Sequence, residues 1–155
     1  MRKELIRRKI SLMNAKKSME ELTYLELIDF EKNGSPWLEL LGSKLKEFRK
    51  IDSTPTYTKP MGEDEDNIIL WIKESLCFFS EKKNLFISVP KCSDPVWANV
   101  KVVDFTKAIE ELWHISELDD FLIVDKTTGK IAQIFCEEKD YEIHIGMCDI
   151  TRFKK

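Results

Sequence analysis

Carboxylates are the densest chemically active side chains in this sequence. They fall into three clusters: Glu63-Asp64-Glu65-Asp66, then Glu117 with Asp119 and Asp120, then Glu137, Glu138 and Asp140. Such oxygens ligate Mg²⁺ or Ca²⁺, but the first cluster lacks the Asp-x-Asp/Asn-x-Asp/Asn-Gly spacing of a calcium loop, and no cluster has further fixed ligands beside it. Solvated turns are the plain reading. The sharper one is electrostatic, because acidic loops gathered on one side of a small domain steer association with a basic partner and raise its rate.

Other chemistry has less to work with. The five glycines are too dispersed for a phosphate-cradling turn, and His114 and His144 share no ligand spacing with a cysteine pair, so neither nucleotide nor zinc is expected, nor any other cofactor. Cys136 and His144 invite a nucleophile–base reading. If 137–140 is a four-residue hairpin loop, however, Cys136 pairs with Tyr141 and Gln133 with His144. The period-2 rule then sets Cys136 on a face with Ala132, Ile134, Ile143 and Ile145, and His144 on the other with Gln133 and Glu142. Thiol and imidazole point apart. The expectation is a small buried hydrophobe and a surface histidine, with Gln133, Glu142 and His144 meeting water or holding a ligand. His114, near the end of a predicted helix, suits the negative end of the helix dipole.

The elements that must position these groups can be read from spacing. Apolar residues Leu5, Ile6, Ile10, Leu12 and Met13 recur at helical intervals among basic residues, predicting an amphipathic helix from Arg2 to about Lys16. Ser18 precedes Glu21 at capping-box spacing, predicting a second helix that carries Leu22, Leu25 and Ile28 and stops at Asn33-Gly34. Ser35-Pro36 opens a third, running to about Lys50. Residues 52–66, with Pro55, Pro60 and Gly62, read as a long surface loop. The stretch 68–79 fits a helix better than a strand. Strands are predicted at Leu85–Val89 and, after Asp94-Pro95, at Val96–Val103, with Asp104 capping a helix to about Trp113. Phe121–Val124, Ile131–Cys136 and Tyr141–Met147 make a three-stranded antiparallel meander. The fold class is α+β: N-terminal helices packed with a mainly antiparallel sheet.

Composition bounds the rest. A chain of 155 residues, 43% hydrophobic and 34% charged, fits one globular domain over 1–155, helical in 1–50 and mixed in 67–150, with an aromatic-rich core. The N-terminus has no apolar run of signal-peptide length, so a cytoplasmic protein is expected, with Cys77, Cys92, Cys136 and Cys148 reduced and mostly buried. Net charge is −3, yet residues 1–17 hold seven Lys/Arg against Glu4 alone: a basic head precedes an acidic body. Such a head suits nucleic acid or anionic lipid. Its apolar stripe has an internal alternative, packing on the second helix, so direct nucleic-acid binding and membrane contact are not expected.

From Asp94-Pro-Val-Trp97 through Ala108-Ile-Glu-Glu-Leu112 to Phe121-Leu-Ile-Val-Asp125 and the closing Ile131–Gly146 hairpin, the order of elements resembles small bacterial immunity proteins encoded beside polymorphic or contact-dependent toxins. The resemblance covers about the last third of the chain. It implies a non-catalytic protein that binds and occludes one cognate toxin, commonly a nuclease with a basic surface. Charge and expected exposure select Glu63, Asp64, Glu65, Asp66, Asp119, Asp120, Glu137, Glu138 and Asp140 as contacts. Two other readings stay open. One is a regulatory or structural binding protein docking through its first helices; the other is a small metal-assisted enzyme built on Glu142, His144 and a carboxylate from the acidic turns.

Overall fold

The computed structural model describes residues 2–50, 53–92, 95–116, 120–137 and 139–153, with backbone alone for Glu137, Arg152 and Phe153. In chain order the elements are α1 (Arg2–Glu20), β1 (Leu25–Phe30), α2 (Pro36–Phe48), β2 (Tyr57–Pro60), α3 (Glu65–Ser75), β3 (Asn84–Ser88), β4 (Trp97–Val102), α4 (Phe105–Ile115), β5 (Phe121–Asp125), β6 (Lys130–Glu137) and β7 (Asp140–Met147). Short 3-10 turns follow α3 at Cys77–Phe79 and β7 at Ile150–Phe153. The strands form one antiparallel sheet in the order β1-β4-β3-β5-β6-β7-β2. The α+β class and the C-terminal meander are as the sequence predicts.

Alternation along the inner strands explains the layers. Phe121 and Ile123 of β5, Leu85 and Ile87 of β3, and Ala132 and Ile134 of β6 turn to one side, into a core shared with Ile68, Ile69 and Ile72 of α3, Ile109 and Leu112 of α4, and Ala15 and Met19 of α1. Leu122, Val124, Phe86 and Ile131 turn to the other, beneath Leu40, Leu41 and Phe48 of α2. Every residue of β5 is buried. Aromatics populate both cores, from Phe79 and Phe121 to Phe86 stacked on Trp97.

Helix ends follow their signals where those are local. Ser35 Oγ accepts from the Trp37 amide with Pro36 in the first turn, and Asp104 accepts from the Lys107 amide to open α4. The Ser18 signal fails. Ser18 lies inside α1, and no second helix forms: Leu25–Phe30 pairs with β4 instead. The reason is tertiary. The Glu111 carboxylate of α4, at 2.8–2.9 Å, takes the amides of Thr23 and Tyr24, diverting the chain into the sheet, where Leu25 and Leu27 share a face at period 2 and Ile28, which the helical spacing grouped with Leu22 and Leu25, is exposed. The Gly34 stop is real, at φ +84°, but ends a turn after a strand.

The predicted 52–66 loop is also shortened. Tyr57–Pro60 pairs with β7 as an edge strand, and α3 starts at Glu65. Exposure, only four residues and a terminal proline kept it from reading as a strand; its hydrogen bonds come from a partner some 80 positions away. Asp94 of the predicted Asp94-Pro95 lead-in to β4 lies outside the described residues. Of the cysteines, only Cys148 is buried; Cys92 and Cys136 are half-buried, Cys77 is exposed, and none is disulfide-bonded.

The β5–β6 turn is held by Asp125, whose carboxylate accepts from the Thr127 amide, the Thr128 hydroxyl and Lys82. Burial opposes its ionisation, but these donors outweigh it and hold the carboxyl below its usual range. Gly129 closes the turn at φ +87°, where a Cβ would run into the Cys148 carbonyl oxygen. Gly129→Ala therefore combines left-handed strain with a backbone clash and is expected to lose about 2–4 kcal/mol. Gly34→Ala, at a similar φ but in open space, is expected to lose about 1–2 kcal/mol. Urea unfolding of the two variants side by side checks the difference.

Candidate functional site

Antiparallel pairing decides where the acidic clusters go. β2 ends at Pro60, opposite Asp140, the first residue of β7 and the partner of Glu137 at the end of β6. β5 begins at Phe121, opposite Ile134 near the same end of β6, so Asp120 arrives there too. The chain leaves β2 through Met61, whose amide donates to the Lys139 carbonyl, and passes directly into Glu63, Asp64, Glu65 and Asp66. Groups separated by up to 77 positions thus meet at one end of the sheet.

Glu63, Asp64, Glu65, Asp66 and Asp140 are exposed. Glu65 and Asp66 occupy the first turn of α3, where the unpaired amides and the positive end of the dipole favour negative charge. Lys59 pairs with Glu63 at 2.7 Å, and His114, in the last turn of α4, pairs with Glu65 at 3.2 Å. Tyr57 and Met61 are exposed beside them. Asp120 differs: it is half-buried, 3.5 Å from Arg49 and within reach of the Gln133 amide. Asp119 and Glu138 lie outside the described residues, as does Glu117, and of Glu137 only the backbone is placed.

The predicted register of the last hairpin holds, with Cys136 opposite Tyr141 and Gln133 opposite His144 on opposite faces. The surface histidine does not. His144 is 3% exposed, its ring stacked on Phe135 with centroids 4.9 Å apart and lying 5.4 Å from Phe48, while Nε2 is 2.9 Å from Glu142 Oε1. The end of α2 covers what a period-2 reading alone assigned to water. A signal was present: Ile131 and Phe135 flank Gln133 on that face, and the apolar side of 36–48 needs a second sheet face to cover. Gln133 is equally buried, with its Oε1 lacking a hydrogen-bond partner. Of the trio, Gln133 and His144 are enclosed, and Glu142 is half-buried beside the imidazole.

A further open groove of about 600 Å³, absent from the sequence reading, runs between the end of α1 and α4. Its charges are engaged with one another or with neighbours: Lys91 with Glu21 at 3.4 Å, Glu110 with Lys73 at 2.6 Å, and Lys107 over the Tyr24 ring. Lys91 adopts φ +62° on its rim. Among the described residues, no three His, Cys, Asp or Glu side chains are grouped to hold a metal ion.

Compared with protein-family models, curated proteins and solved structures, the chain finds no match in any of the three. The arrangement of its own side chains is what bears on function. Most exposed of these groupings is the acidic end.

Asp120 carries a testable electrostatic consequence. Burial raises its pKa from the ordinary 3.8, against the lowering effects of Arg49 and Gln133. The folded chain then binds this proton more tightly than the unfolded one, so stability is lost as pH rises from 3.8 through the folded value. Asp120→Asn is expected to melt at a higher temperature than the parent at pH 7, the margin closing at pH values where the parent's carboxyl is protonated. Thermal unfolding across pH checks this.

Proposed function

We propose that this chain is a non-catalytic protein-binding module, an immunity protein that neutralises a cognate toxin by binding and occluding it, in the cytoplasm. The toxin surface it meets is basic. The observation that supports this reading is the convergence of Glu63, Asp64, Glu65, Asp66 and Asp140 on one exposed end of the sheet from distant parts of the sequence. The backbone that carries these carboxylates is held by a sheet end and a helix start, so binding orders exposed side chains and not a free loop.

Such a surface acts in two ways. Its field draws a basic partner into encounter, and its carboxylates compete for the lysines and arginines with which a nuclease would hold phosphate. Tyr57 and Met61, exposed beside the carboxylates, offer the apolar contact that charge alone does not supply. Cys136 and His144 on opposite faces, with His144 enclosed, favour binding over a nucleophile–base mechanism.

Changing Glu63, Asp64, Glu65 and Asp66 together to Ser is expected to slow association with the partner on the order of tenfold at low salt and to flatten the salt dependence of the rate. The fold should persist, since all four are exposed. Affinity capture from the native host, with the neighbouring gene product supplied in excess, identifies the partner, and stopped-flow or surface-based kinetics reads the rate. A parent protein that captures no basic partner, or a variant that binds with unchanged kinetics, sinks the reading.

A further inference from the structure

The seam by which α1 meets the domain is not its most apolar one. Arg8, Ser11, Leu12, Ala15, Ser18 and Met19 are the residues of α1 that are buried or half-buried, and they recur at the three- and four-residue spacing of a single face. Leu5, Ile6, Ile10 and Met13 are left 66%, 52%, 53% and 62% exposed. The sequence-based reason to discount this stripe was a second helix to cover it. That segment is β1, and of the stripe only Leu12 is partly covered.

Counted around the helix, these four side chains share an arc of roughly 160° with Arg2, Lys3, Lys9, Lys16 and Lys17. All five cations are exposed, and Glu20, in the last turn, is the one acidic residue on the arc. Five cations and four apolar side chains thus stand exposed on one arc, and that combination decides between occupants. A protein groove wants a continuous apolar centre with charge at its rim, and nucleic-acid phosphates gain nothing from Leu, Ile or Met. At an anionic bilayer surface both kinds act together: lysine stems lie along the apolar layer while their ammonium groups reach lipid phosphate, and Leu5, Ile6, Ile10 and Met13 enter the headgroup–acyl boundary.

We propose that the outward face of α1 docks peripherally on an anionic lipid surface. No helix among the described residues is long and apolar enough to cross a membrane, and this mode needs none. α1 packs against β1 at one edge of the sheet, whereas β2 and its acidic neighbours form the other. The two surfaces therefore use different edges of the sheet and can be tested independently.

The experiment is co-sedimentation of the full chain with phosphatidylcholine vesicles, with and without phosphatidylglycerol, at low and high salt. Retention by the anionic vesicles alone is expected, weakening with salt. Lys9→Gln with Lys16→Gln should lower partitioning roughly 25-fold, at about fivefold per cation. Ile6→Ser with Ile10→Ser should lower it on the order of tenfold while leaving thermal unfolding and capture of the protein partner unchanged, because both positions face solvent. No retention, or equal retention by neutral vesicles, overturns the proposal. So does retention that the Ile variants leave intact and duplex DNA abolishes, which would assign the face to polyanions, or that an acidic protein abolishes, which would assign it to a protein.

Discussion

Everything in this domain depends on β5 being buried from both sides. Phe121, Leu122, Ile123, Val124 and Asp125 alternate between the two faces, and all are shielded from water. A strand of this kind cannot sit on a one-layer sheet, since one of its apolar rows would then face solvent. Helices are required above and below it, and α2 meets that need on one side as α3 and α4 do on the other. Asp125, the one charged residue of the strand, is tolerated because the turn that follows and Lys82 satisfy its carboxylate.

From that constraint the distribution of function-bearing groups follows. Covering the second face with α2 encloses Gln133 and His144, which removes them from the surface and leaves aromatic rings around the imidazole. Extending the meander outward by β2 draws the chain to the end of the sheet where β6 turns into β7, so the acidic start of α3 lands beside the acidic hairpin. The opposite edge, β1, is blunted by a register shift between Leu27 and Asp29 and flanked by α1. One sheet thus separates a basic, partly apolar helix from an acidic end.

Local signals were sufficient wherever one element carried its own stop, cap or period. Ser35-Pro36, Asp104 and the run Phe121 to Met147 name their helices and strands, and even the pairing of Gln133 with His144 is legible. Glu137 and Asp140 extend the strands and shorten the predicted four-residue loop to two, but trimming one residue from each side leaves the register unchanged. Ser18 with Glu21 carried an equally good signal and misled. A capping box competes only with other local states, and here the amides of Thr23 and Tyr24 are claimed by Glu111 from 87 and 88 positions away.

By itself, then, the sequence determined the α+β class, the C-terminal meander, the helices at 36–48 and 105–115, and the presence of separate basic and acidic segments, since all of these rest on spacing or on charge counts within a few residues. Tertiary structure alone decided that 25–30 is a strand, that 57–60 completes the sheet, that His144 is enclosed, that Leu5, Ile6, Ile10 and Met13 of α1 face outward, and that Glu63–Asp66 and Asp140 share one end. Each of these depends on hydrogen bonds or burial between segments far apart in the chain, and burial is a property of what packs opposite a residue rather than of the residue itself.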